Sequence, residues 1–194
     1  PLFEFYAPLP YYVGSLFYLV GFSLVNSIKI LFLISTFVTL IGGYKLGKIL
    51  FGRGWGLVLA VTLTLAPYRA VNLFVRGAIS ELWGIMALPF ILYGIVGIIK
   101  NKKNSWITLL ISLLVLLLSH NLTTLIFLPL SIVFGGAYLL LDSSNKEKSA
   151  KIKRKFFLDR FLILAGVYLL SFLFSAFYLL PALLEKDYTR LESA

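Results

Sequence analysis

The chain has 194 residues, of which 60% are hydrophobic and 13% charged, with a mean hydropathy of +0.95 and a net charge of +10. A soluble domain is about half apolar and about a quarter charged, so this composition excludes a water-soluble globule and a disordered chain and leaves a polytopic membrane protein. With no Cys and one His, His120, disulfides, thiolate chemistry and a zinc or iron site built on two or three imidazoles of one copy are excluded as well.

Residues 1–10 (PLFEFYAPLP) carry no basic n-region, so they do not read as a secretory signal. The first residue is Pro1 and the single Met is Met86, from which we expect a piece of a longer protein. Tyr11–Leu24 is apolar but only 14 residues long. That length suits a juxtamembrane helix on the outer surface better than a span. Pro8 and Pro10 lead into it, and Tyr11, Tyr12, Phe17 and Tyr18 supply rings suited to the membrane interface.

Six stretches then read as membrane spans: about Ile28–Tyr44, Gly54–Ala66, Leu82–Ile99, Trp106–Ser119, Leu122–Leu141 and Phe161–Leu183. The first has room to run on to Leu50, past Lys45 and Lys48, and the second is short and is expected to begin before Arg53, whose side chain snorkels to the interface. The expected fold is all-α: one transmembrane helix bundle over residues 1–194. Within it, 1–27 form the outer-surface segment and juxtamembrane helix, 28–183 the six-span bundle, and 184–194 an outer-side tail.

Charge gives the bundle a direction. Segments 45–53, 100–105 and 142–160 fall on one side and hold 13 of the 18 Lys and Arg residues, whereas the other side holds five basic and five acidic residues. The positive-inside rule places the first set in the cytoplasm. The run Lys146–Lys155 (KEKSAKIKRK) then reads as an ordinary cytoplasmic loop rather than a nucleic-acid patch. The expected location is a membrane with the basic loops in the cytoplasm, with membrane lipids as partners and no nucleic acid.

Chemistry is expected on the outer face. Segment 67–81 (PYRAVNLFVRGAISE) places Val71, Phe74, Val75 and Ile79 at helical spacing among Arg69, Arg76, Ser80 and Glu81. This pattern predicts a short amphipathic helix lying along the membrane, broken near Gly77. Arg69 and Arg76 are suited to bidentate phosphate binding; headgroup contact or snorkelling is the alternative for each. Arg76 and Glu81 are five residues apart, so a simple i, i+4 salt bridge is not offered. Glu81 heads a span, where a carboxylate favours the helix N-terminus or serves a catalytic or metal-binding role. Ser119-His120-Asn121 joins two spans almost without a loop. His120 is suited to donating to a phosphate or acting as a base, or it belongs to a turn in which Asn121 caps the next helix. Asn121-Leu122-Thr123 fits the glycosylation pattern but lies at the membrane boundary, so we discount it. Ser171, Ser175 and Tyr178 lie within the last span and read as packing residues, and Pro181 is expected to kink its exit.

FEFYAPLPYY at the start, APYRAVNLFVRGAISELWGIMALPFILYG, LLSHNLTTLIFLPL and SAFYLLPALLE at the end resemble, over nearly the whole chain, the prokaryotic membrane proteins labelled "6-pyruvoyl-tetrahydropterin synthase-related". Pterin synthases of that name hold zinc with several His residues, a site that one His and no Cys do not build. The family looks related to the GT-C superfamily of multi-span glycosyltransferases that use polyprenyl-phosphate sugars. That resemblance implies an outer-loop carboxylate acting as base and cations holding the leaving lipid phosphate. The superfamily's acidic motif precedes the aromatic-Pro-Leu stretch, inside which this chain begins, so no catalytic residue is assigned and Glu4 does not inherit the role. By resemblance, Arg69, Arg76, Glu81 and His120 are the candidate lipid-phosphate and substrate-binding residues, and the partner is a polyprenyl-phosphate sugar. No cofactor is evident in the residues; a divalent metal enters by resemblance alone. A transporter or lipid flippase, or a non-catalytic membrane scaffold, is the alternative.

Overall fold

The computed structural model describes residues 6–144 and 150–184. Among them the chain is helical without strands, in eight α-helices: α1 (Leu9–Leu19), α2 (Leu24–Phe51), α3 (Arg53–Thr64), α4 (Pro67–Val71), α5 (Ile79–Ile99), α6 (Ser105–Leu117), α7 (Asn121–Ser144) and α8 (Ala150–Leu184). A five-residue π-helical turn, Asn72–Arg76, follows α4. Five helical stretches are long and apolar enough to cross a membrane: Leu24–Phe51, Arg53–Arg76, Ile79–Ile99, Asn121–Asp142 and Ile152–Leu184. The protein is therefore an integral membrane helical bundle.

The fourth expected span, Trp106–Ser119, is α6, a 13-residue helix about 20 Å long and too short to stand among these five. It is nevertheless the centre of the core. Leu109, Leu113 and Leu116 are buried against Ile91, Ile95 and Ile99 of α5, Leu139 of α7 and Val167 of α8. A Cβ added at Gly94 would stand 2.9 Å from the Leu109 backbone, so the α5–α6 hairpin closes to backbone contact. A second, smaller cluster of Leu31, Trp83 and Met86 lies where α2 meets α5, with Val13 and Phe17 of α1 packed over it. The indole of Trp83 donates to the Leu31 carbonyl at 3.2 Å.

Several boundaries moved for physical reasons. The first span runs from Leu24 to Phe51, beyond Ile28–Tyr44 at both ends, with the Ser23 hydroxyl capping its N-terminus. The second begins at Arg53, not before it, because Gly52 turns the chain with a φ of 100°. Its 12 residues pack on α2 with almost no space between backbones: a Cβ at Gly47 would sit 2.5 Å from the Trp55 carbonyl, and one at Gly43 would sit 2.8 Å from Ala60 Cα. Gly43 and Gly47 thus form a G-x-x-x-G face against Gly56 and Ala60, the small-residue contact that replaces hydrophobic driving force in lipid. That motif was readable in the sequence and carried no expectation.

The last span also grew. Ala150–Arg160, expected within a loop, forms the first turns of the 35-residue α8. Lys and Arg are good helix formers and reach water along their stems, so basic residues do not end a helix at an interface. Pro181 lies inside α8; the residues expected to turn back after it, Glu185, Lys186 and Asp187, lie outside the described residues, as do Glu4, Lys146 and Lys148. Ser171 and Ser175 bond carbonyls of their own helix, those of Val167 and Ser171, at 2.8 and 2.7 Å.

Candidate functional site

The segment after α3 is amphipathic, as expected, but inside out. Phe74 is 81% and Val75 78% exposed, with Tyr68 and Val71 on the same outward side, whereas Arg69 is 3% exposed and Asn72 fully buried. At membrane depth lipid is the surrounding solvent, so apolar residues turn outward and polar residues turn to protein partners.

Arg69 takes part in this inversion. Its Nη1 donates to the Thr64 carbonyl at 3.3 Å, and its Nη2 donates to Thr36 Oγ1 at 2.8 Å and Ser35 Oγ at 3.3 Å. The guanidinium therefore closes the last turn of α3, where carbonyls lack helical partners, and pins it to the middle of α2. Among the described residues it makes no hydrogen bond to the other candidates.

Arg76 lies seven residues further on and behaves oppositely. The π-helical turn ends at Gly77, whose φ of 60° and ψ of 29° are left-handed. A residue with a Cβ adopts this region at a cost. The break folds the chain back, with the Ala78 amide bonding the Asn72 carbonyl at 2.9 Å. Arg76 is thereby returned to the first turn of α5, where its Nη1 meets Glu81 Oε2 at 3.0 Å. The five-residue spacing offered no salt bridge on a continuous helix; the left-handed glycine supplies one. The same Nη1 donates to Asn72 Oδ1 at 2.6 Å. The Tyr68 hydroxyl donates to the other Glu81 oxygen, Oε1. The Glu81 side chain is 9% exposed and that of Arg76 50%. Nη2 and Nε of Arg76 make no hydrogen bond among the described residues. Tyr68 and Asn72 were not among the candidates; their spacing to Glu81 has meaning only once the chain breaks at Gly77.

His120 approaches the same carboxylate from the α6–α7 turn. A Cβ added at Gly84, one turn after Glu81 on α5, would lie 3.4 Å from His120 Cβ and 3.3 Å from Thr123 Cβ. His120 itself caps α7, displacing Asn121 from that role. Its Nδ1 accepts from the Thr123 amide at 3.2 Å and pairs with Thr123 Oγ1 at 2.7 Å, and its carbonyl accepts from the Thr124 amide at 3.0 Å. An Nδ1 that accepts places the proton of the neutral ring on Nε2. Burial holds the imidazole pKa below its usual 6.5, helped by the charge of Arg76 and opposed by the Glu81 carboxylate. Neutral His120 is thus a hydrogen-bond donor near neutrality. Asn121 instead accepts from the Tyr178 hydroxyl at 2.9 Å.

Arg76, Glu81 and His120 therefore gather with Tyr68 and Asn72 at one end of α5, and Arg69 stands apart. Beside them an apolar groove of about 600 Å³ runs between α1 and α2, from Tyr18 and Leu24 to Gly77 and Ile79. α1 is held there by the Leu9 amide, which donates to the Leu118 carbonyl at 2.9 Å, and by a contact of 3.4 Å between Tyr11 and Ser80 hydroxyls. Among the described residues no three His, Asp or Glu side chains are grouped to hold a metal ion. The one carboxylate of the cluster is engaged by Tyr68 and Arg76. This donor set does not fit a resident divalent cation, and the positive charge at the site is that of Arg76.

A family model of membrane proteins, described as the 6-pyruvoyl-tetrahydropterin synthase related domain, matches residues 3–193, and the chain belongs to that family. No curated protein and no solved structure matches it.

Proposed function

We propose that this member of the family carries the phosphate-binding side of a GT-C-like glycosyltransferase, acting on a lipid-phosphate sugar donor at the outer face of a prokaryotic plasma membrane, with the lysine-rich connectors in the cytoplasm. The reading rests on one observation: a half-exposed arginine, anchored by Glu81 and Asn72 and with two nitrogens unbonded among the described residues, directly precedes Gly77, which lines an apolar groove. Anchoring through Nη1 alone leaves the Nη2–Nε edge as a preset fork for two phosphate oxygens. The Tyr68 and Arg76 contacts occupy both Glu81 oxygens, so the carboxylate serves as an anchor rather than a free base. The His120 Nε2–H offers a second donor, one that adds no charge near neutrality. The groove suits a hydrocarbon tail, so head and tail of one lipid would lie side by side. Stabilising a leaving phosphate by such fixed donors lowers the barrier to transfer.

The transporter alternative draws on Arg69, a buried charge at a broken helix, which is where such proteins bind substrate. Both terminal nitrogens of Arg69 are committed to Thr64, Ser35 and Thr36, which favours a structural duty. The test is sugar transfer in native membranes from polyprenyl-phosphate mannose or glucose, tritiated in the sugar. Arg76→Gln should lower transfer about 100-fold at unchanged protein level. Unchanged transfer would overturn the reading.

A further inference from the structure

The opposite end of α5 carries a second, unrelated arrangement. Lys102 follows α5 directly, some 20 residues after Glu81, which at 1.5 Å per residue sets the two ends about 30 Å apart. There a cleft of about 530 Å³ opens between α2, α3 and the α5–α6 turn, lined by Leu40, Ile41 and Leu57 together with Lys45, Lys48 and Lys102. Each ammonium is placed by a ring: Lys45 over Phe90 at 5.6 Å, Lys48 over Tyr44 at 5.7 Å and Lys102 over Tyr93 at 4.9 Å. Cation–π contact orients a lysine without neutralising it. No carboxylate lines the cleft, and none of the three lysines makes an ion pair among the described residues. A fourth, Lys100, is used differently: its Nζ donates to the Ile49 carbonyl at 2.9 Å and answers the carbonyl end of α2. The α2–α3 contact at Gly43 and Gly47 brings the two helix backbones together and fixes one wall of the cleft.

We propose that this cleft binds an anionic phospholipid, its phosphate among Lys45, Lys48 and Lys102 and one acyl chain along Leu40, Ile41 and Leu57. Three uncompensated positive charges above an apolar trough complement a negative headgroup with an attached chain, and a zwitterionic headgroup brings its own cation into repulsion with them. The site is independent of the Arg76 cluster and of any sugar transfer.

The test measures lipid binding to the detergent-solubilised protein by native mass spectrometry, with phosphatidylglycerol and phosphatidylcholine as probes. Wild type should prefer phosphatidylglycerol, and the preference should fall about fivefold for each lysine removed. The triple variant Lys45→Gln, Lys48→Gln, Lys102→Gln should bind both lipids equally, whereas Lys45→Arg, Lys48→Arg, Lys102→Arg should keep the preference. A control of equal charge loss outside the cleft, Arg53→Gln, Lys103→Gln, Arg154→Gln, should keep it too. Glycerol 1-phosphate should fail to displace the bound lipid, because it lacks the chain. The proposal is overturned by a wild type without preference, by a control that loses as much as the cleft variant, or by displacement with glycerol 1-phosphate.

Discussion

Arg69 and Arg76 lie on one short segment, seven residues apart, and look alike in the sequence. In the fold they face opposite ways. Arg69 is buried, holds no carboxylate, and gives its terminal nitrogens to a helix end and two hydroxyls of α2. Arg76 is half exposed, is paired with Glu81 through a single nitrogen, and keeps the rest of its fork open. The first arrangement satisfies a broken backbone where water is scarce; the second presents charge to a ligand. The contrast teaches that exposure and the number of committed donors, rather than residue type, separate a structural arginine from a binding one.

The largest effect is expected from Arg69→Ala. It strips partners from the Thr64 carbonyl and from the Ser35 and Thr36 hydroxyls, and should cost about 2–4 kcal/mol, measured by thermal or denaturant unfolding in detergent. Arg69→Lys should restore only part of the loss, because a point ammonium does not reproduce the fork. A variant as stable as wild type would erase the distinction between the two residues. Arg76→Gln should change stability by less than about 1 kcal/mol, since the ion pair is half exposed and Glu81 keeps its bond from Tyr68. Its cost should appear in transfer activity instead, so a stability loss matching that of Arg69→Ala would break the comparison from the other side.

The smallest effect concerns pH. The folded His120 pKa lies below the ordinary 6.5, so the unfolded chain binds more protons as pH falls through that value. This contribution to stability is complete above pH 6.5. It is lost progressively as pH falls towards and through the lower folded value. Protonation of Nδ1 would also remove the acceptor that caps α7. The unfolding midpoint followed from pH 7.5 to 5 should therefore drop in wild type, and the drop should be smaller in His120→Asn, which keeps a capping acceptor without titrating. Equal slopes would show that the ring does not titrate against this surrounding.

Reading the sequence recovered what depends on composition and local pattern. Long apolar runs specified the helices, and Gly77 marked the break, because no other residue type adopts that backbone so readily. The polarity of segment 67–81 was legible, but its facing was not: the same pattern serves a helix lying on a surface and one with its polar side turned into protein. The partnership of Arg76 with Glu81 was missed because it depends on the chain folding back at Gly77. The cap on α7 went to His120 rather than Asn121 because the helix starts at Asn121 itself, one residue earlier than a capping asparagine requires. Asn72 gave no signal and Tyr68 only as part of the segment that resembles the family, since an aromatic and an amide have no chemistry until a carboxylate is placed beside them.

The sequence by itself determined that this chain lives in a membrane, which stretches are helical, that the chain breaks at Gly77, and which residues carry charge. Those follow from the transfer cost of side chains and the local freedom of the backbone, both counted residue by residue. Only the tertiary structure decided which charged groups meet. That depends on how closely α2 approaches α3 and α5 approaches α6, and on which carbonyls and hydroxyls are left needing partners inside lipid. Such demands arise between segments distant in sequence, so one arginine was drawn inward as a structural tie and the other was left half exposed beside Glu81.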